Sequence, residues 1–137
     1  MKTAFFLTDC SVDSALVLRR WLESNPDNAL HLTVVHPYDI EECAVLNKET
    51  FRAAKQQAES RLERWLDMLP QLSKLKAETL FSSPQLAIKM HLLLRSYDYL
   101  LMNEQTFTWS ADTETFLRQT TTKLCRLTAY DGFNQMA

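Results

Sequence analysis

Glycine is almost missing from this chain: Gly132 is the single one in 137 residues. A loop that wraps a phosphate relies on glycine to reach positive φ and to bring backbone N–H groups close to the oxygens. Neither a Walker loop nor a G-x-G-x-x-G turn can be assembled from this sequence. Cysteine is sparse as well. Cys10, Cys43 and Cys125 are odd in number, widely spaced and without a C-x-x-C pair, which argues against a disulfide framework and a structural zinc site. No large excess of one charge exists either: the formal net charge of −2 gives no general attraction to nucleic acid or an acidic membrane, and neither partner is expected. Long apolar runs are absent, and the short one near the N-terminus is interrupted by Asp9 before any cleavage site, so a cytoplasmic protein is expected.

What is present is a regular alternation of segments. Thr3 to Thr8 reads as a buried strand, followed by a helix to about Glu23 that Ser11 or Asp13 can cap. Leu30 to Val35 is a second strand, rich in β-branched residues. A helix from about Thr50 to Leu69 follows, with Phe51, Ala54, Ala58, Leu62, Trp65, Leu66 and Leu69 as its apolar stripe and Arg61 on the wet side. Lys74 to Phe81 alternates polar and apolar residues and is placed at a sheet edge.

Ser82-Ser83-Pro84 opens a helix from Gln85 to Arg95 that is expected to carry Leu86, Ala87, Met90, Leu93 and Leu94 inward. Tyr97 to Met102 reads as a central strand, Asp112 to about Lys123 as a fourth helix, and Leu124 to Tyr130 as the last strand. Residues 130–137 are expected to form a loose tail. Such alternation implies one α/β domain over 1–137: a three-layer, five-stranded parallel sheet of Rossmann-like type with helices on both faces.

Phe6-Leu7-Thr8-Asp9-Cys10-Ser11, Leu32-Thr33-Val34-Val35-His36 and Tyr97-Asp98-Tyr99-Leu100-Leu101-Met102, with the long helix between them, resemble the universal stress protein family over about residues 2 to 130. The resemblance implies strand order 3-2-1-4-5 and a homodimer built with the last strand, Leu124 to Tyr130. It also implies a ligand cleft at the carboxyl end of the sheet, with Asp9, His36, Pro37 and Asn103 as candidate binding residues. In nucleotide-binding members a glycine-rich loop after the fourth strand holds the ATP phosphates. Here that stretch, Asn103 to Glu114, has no glycine, lysine or arginine and carries Glu104, Asp112 and Glu114. Carboxylates at a helix start suit the dipole but occupy the place a phosphate would take, and each would repel it by about 1 kcal/mol or more. Weak or absent ATP binding follows.

Each candidate has a plainer reading. Asp9 can accept hydrogen bonds from a base or ribose, or it can cap the first helix. His36 could join Asp9, Cys10 and Cys43 as a metal cluster, but the spacings fit no zinc pattern, so neither a metal nor a cofactor is expected. Cys10 is read as a small buried thiol, with a redox-reactive thiol at a helix start as the alternative. Phe107 and Trp109 are read as plugs of the former nucleotide cleft, the other reading being a sticky surface for a protein partner. The acidic run Asp39, Glu41, Glu42 is read as a solvated loop.

No catalytic residues emerge. A phospho-accepting domain of this architecture needs an aspartate at the end of the third strand, where Leu80-Phe81-Ser82-Ser83 stands, and no Ser-His-Asp or Cys-His pairing is visible. The chain is therefore expected to be a non-enzymatic regulatory or stress-response domain that works through dimerisation or protein contact. The alternative is a sensor that binds adenosine, AMP or another weakly charged ligand near Asp9.

Overall fold

In the computed structural model, which describes residues 2–25, 30–39, 46–72, 74–103 and 107–127, strands and helices alternate along the whole chain. The elements are β1 (Lys2–Leu7), α1 (Val12–Ser24), β2 (Leu30–Tyr38), α2 (Lys48–Leu66) and β3 (Leu75–Phe81), then α3 (Pro84–Leu94), β4 (Tyr99–Asn103), α4 (Ala111–Gln119) and β5 (Lys123–Leu127). All strand pairs are parallel and the sheet order is β3-β2-β1-β4-β5, as expected.

β1 lies at the centre, which is why its sequence is apolar without alternation. Ala4 and Phe6 enter one core with Leu18, Val34, Leu62 and Trp65, beneath α1 and α2. Phe5 and Leu7 enter the other, with Ala87, Ile88 and Leu117 of α3 and α4. At the opposite extreme β3 is an edge strand, in keeping with its alternating sequence. Asp98 ties the amino ends of β1 and β4 together: its carboxylate accepts the Thr3 N–H at 2.8 Å, and its own N–H donates back to the Thr3 carbonyl at 3.0 Å.

Several boundaries differ from the sequence reading, each for an identifiable reason. β2 runs three residues past Val35, through His36 and Pro37 to Tyr38. Leu32 donates its N–H to Lys74 of the β3 side, so even-numbered residues of β2 turn their N–H groups to β3 and Pro37 turns its nitrogen toward β1. The last β1 pairing is Leu7 with Val35, so the proline interrupts no ladder bond. α2 begins at Lys48 because Asn47 caps it, its side chain accepting the Glu49 and Thr50 N–H groups while the Thr50 hydroxyl accepts the Asn47 N–H. α4 ends at Gln119, before the β-branched run Thr120-Thr121-Thr122, and β5 starts at Lys123.

The largest correction concerns α3. Of the residues expected to face inward only Ala87 is buried, together with Ile88, while Leu86, Met90, Leu93 and Leu94 are 52, 37, 73 and 77 % exposed. Leucine occupies nearly every side of this helix, so periodicity alone does not select a face. The inward face is selected by His91, whose ring stacks on Phe5 at 4.8 Å and whose Nε2 lies 3.4 Å from Glu78 on β3. Of the segment expected to build a dimer, Leu124 to Leu127 form most of β5, whereas residues 128–130, the expected tail 130–137, and Glu41, Glu42 and Cys43 lie outside the described residues.

A buried polar node joins the end of β1 to α1 and α2. Trp65, fully buried on α2, donates its indole N–H to the Ser11 carbonyl at 3.0 Å and to Ser14 Oγ at 3.1 Å, and Ser14 Oγ lies 3.1 Å from Thr8 Oγ1. Trp65→Phe keeps an aromatic in the core but removes the bonds that tie α2 to this cluster, while the Ser11 carbonyl keeps the Ala15 N–H and Ser14 hydroxyl as donors. Urea denaturation should report a loss of about 0.5–1.5 kcal/mol with an unchanged m-value.

Candidate functional site

Side chains alternate across a strand, so the residue two places beyond a core residue keeps its direction. Phe6, Val34 and Leu101 point beneath α1 and α2, and Thr8, His36 and Asn103 follow them at the carboxyl ends of β1, β2 and β4. This is the position at which open parallel sheets bind ligands, where the order reverses between neighbouring strands. All three residues are buried.

The turn after β1 is built without glycine. Thr8 Oγ1 accepts the Cys10 N–H at 2.9 Å, and Asp9 Oδ1 accepts the Ser11 N–H at 3.0 Å, a side-chain turn that mimics a backbone one. Between them Cys10 takes φ 62°, the left-handed region that glycine usually fills. Ser11 then caps α1 by accepting the Ser14 N–H at 3.2 Å. Asp9 is thus exposed in the turn ahead of the cap, and Asp13 stands in the first helical turn.

His36 has a defined tautomer. Its Nδ1 lies 2.9 Å from the Thr8 carbonyl, which can only accept, so the proton sits on Nδ1 and Nε2 is left as the acceptor for Arg61 Nε–H at 3.4 Å. Burial pushes the His36 pKa below its usual value and the Arg61 guanidinium adds to this, so the ring is neutral near pH 7. Asn103 Nδ2 donates to Asp13 Oδ2 at 3.3 Å, holding the end of β4 against α1. Pro37 is buried within β2. Burial raises the Cys10 thiol to about 12 despite nearby Arg61, which keeps it protonated at neutral pH and removes the reactive-thiolate reading.

Arg61 is the residue that sequence reasoning missed. Its position on the wet side of α2 conceals that it lies four residues before buried Trp65 and three after buried Ala58, the spacing of neighbours on one helix surface. That spacing is the signal by which it could have been found. Among the described residues, no group of three or more His, Cys, Asp or Glu side chains stands close enough to hold a metal ion.

Phe107 and Trp109 lie in the other layer. Their rings are 5.5 Å apart, both are half-buried, and they pack against the core that includes Ala87, Ile88 and Leu117. Beside them a depression of about 410 Å³ runs between the starts of α3 and α4, with Gln85, Lys89, Phe107 and Thr113 among its walls. Its polar groups are engaged with one another. Ser110 Oγ accepts the Thr113 N–H at 3.2 Å, Gln85 Oε1 accepts both the Ser110 N–H at 2.9 Å and the Thr113 hydroxyl, and Lys89 pairs with Asp112.

No protein-family model matches the sequence, and no curated protein matches it. The class defined by the sheet order and the site at the carboxyl ends of β1, β2 and β4 is a doubly wound, Rossmann-like α/β domain. Within that class the fold is that of universal stress proteins. A universal stress protein from Lactobacillus plantarum superposes with a TM-score of 0.62 at 10 % identity, covering 92 % of this chain and 97 % of that one. A family member from Arabidopsis thaliana with AMP bound gives 0.59 at 9 %, covering 92 % and 90 %. A universal stress protein in complex with cAMP gives 0.54 at 14 %, covering 91 % and 94 %. Among the described residues, no helix is long and apolar enough to cross a membrane.

The depressed pKa of His36 makes stability pH-dependent with a definite sign. The unfolded ring binds protons more readily than the folded one, so its contribution is complete above about pH 6.5 and is lost as pH falls through the lower folded value. His91, also depressed chiefly by burial, acts in the same direction. Urea midpoints should fall between about pH 7.5 and 5, and His36→Asn, which keeps a donor near the Thr8 carbonyl, should show a shallower fall. Equal slopes for both proteins would remove His36 as a source.

Proposed function

We propose that this chain is a non-enzymatic, universal-stress-protein-like regulatory domain of the cytoplasm that no longer uses ATP and works through protein contact, including self-association. The observation that carries the reading is the state of the α4 N-terminus, the place where a phosphate-binding loop would deliver its ligand. The Ser110 N–H is met by Gln85 Oε1 and the Thr113 N–H by Ser110 Oγ, and the first turn holds Asp112 and Glu114. A triphosphate would have to displace those hydrogen bonds and approach two carboxylates. The resemblance to the family favours a homodimer through Leu124 to Tyr130; β5, which holds Leu124 to Leu127, is an edge strand of the described sheet, and its apolar residues suit coverage by a second chain.

A second reading, a sensor for adenosine or AMP, is supported by the exposed Asp9 carboxylate standing beside the α1 N-terminus, and by the solved neighbours that hold AMP and cAMP. Thermal unfolding with ATP, ADP, AMP and adenosine separates the two. A ligand at one hundred times its dissociation constant should add about 2.7 kcal/mol to stability. The first reading expects no shift with millimolar ATP. A shift with AMP or adenosine that disappears in Asp9→Ala would select the sensor.

A further inference from the structure

Among the described residues β3 pairs with β2 alone, so one side of a seven-residue strand faces outward. Lys74 accepts the Leu32 N–H and Ser82 donates its own to the Tyr38 carbonyl, which turns the even-numbered backbone groups of this segment toward β2. The N–H and C=O groups of Leu75, Ala77, Thr79 and Phe81 therefore point away from the sheet, a template for one more strand. Lys76 and Glu78 share the α3 face of β3, since Glu78 reaches His91 and Lys76 stands two residues earlier.

We propose that β3 is a self-association surface, on which two copies of this chain pair β3 against β3, antiparallel, about a two-fold axis at Ala77. In this register Ala77 opposes Ala77 and Leu75 opposes Thr79 as hydrogen-bonded pairs. The closer pairs between them are Lys76 with Glu78 and, by symmetry, Glu78 with Lys76. A slip of two residues in one direction sets Lys76 against Lys76, and in the other Glu78 against Glu78. The first slip also sets Glu78 against Lys74, so of the three registers the one centred on Ala77 is distinguished by opposite-charge pairs with no like-charge pair. A lysine alone on an edge discourages pairing, but followed two residues later by a glutamate it specifies the same sequence as its partner.

The exposed strip on α3 supports the same occupant. Gln85 and Lys89 occupy the flank of α3 turned to α4, so Met90 and Leu94, on the opposite flank, face the β3 edge. Joining two sheets at β3 brings these residues toward their counterparts on the second copy, covering apolar surface that the single chain leaves 37 and 77 % exposed. This edge is the far side of the sheet from Leu124 to Tyr130, and the two surfaces are separable by mutation.

Sedimentation velocity of the full chain across a range of concentrations tests the proposal. The expected result is a reversible association step, additional to any dimer formed at β5, whose dissociation constant rises about tenfold or more in Lys76→Glu and in Glu78→Lys, and returns toward the original value when both reversals are combined. Glu78→Lys also removes a contact with His91, so Lys76→Glu carries the test should that variant fail to fold. A monomer at all concentrations would overturn the proposal. So would a dimer indifferent to both single reversals, which would place association elsewhere, or a combined variant no tighter than either single one.

Discussion

The indole N–H of Trp65 is the interaction on which the carboxyl end of the sheet depends. It reaches from α2 to the Ser11 carbonyl and Ser14 Oγ, and through Ser14 to Thr8 at the end of β1. The β1–α1 turn is thereby tied to α2, about fifty residues further along the chain, by one buried donor. The same node fixes the turn from Thr8 to Ser11, in which Cys10 holds its positive φ. With that turn in place, Asp9 is presented to solvent and the Thr8 carbonyl is aimed at His36.

From this constraint the electrostatics of the site follow. The Thr8 carbonyl demands a proton on Nδ1, Arg61 takes the lone pair of Nε2, and burial opposes a charge on the ring, so His36 serves as a neutral brace between β1, β2 and α2. Arg61 supplies the nearby cation that tempers the burial of Cys10 without making its thiol acidic. Across the sheet, the starts of α3 and α4 are closed by Gln85, Ser110 and the Lys89–Asp112 pair. The two halves of the molecule are thus capped by separate networks, one centred on Trp65 and one on Gln85.

Much of this was legible in the sequence, for physical reasons that differ by element. The unbroken apolar run of β1 and the alternation in β3 report directly how many faces each strand buries, and they locate the centre and an edge of the sheet. α3 was not legible, because leucines surround it and only the tertiary partners of His91 decide which face turns inward. The extent of β2 was hidden by Pro37, whose missing donor matters only when β1 continues beside it. The partners of His36 and Asn103, Arg61 and Asp13, become visible only when α2 and α1 are laid over the sheet.

The scarcity of glycine connects these observations. This chain closes turns and helix starts with its own side chains: Thr8 and Asp9 before α1, Ser83 before α3, Ser110 and Gln85 before α4. What the fold leaves unsatisfied lies elsewhere, in the outward backbone groups of β3 and the exposed leucines of α3. Such groups are answered by another polypeptide rather than by a small anion, because a strand edge is completed by a strand and an apolar strip by apolar side chains. An open strand edge beside an apolar strip is the combination on which the self-association proposed for β3 rests.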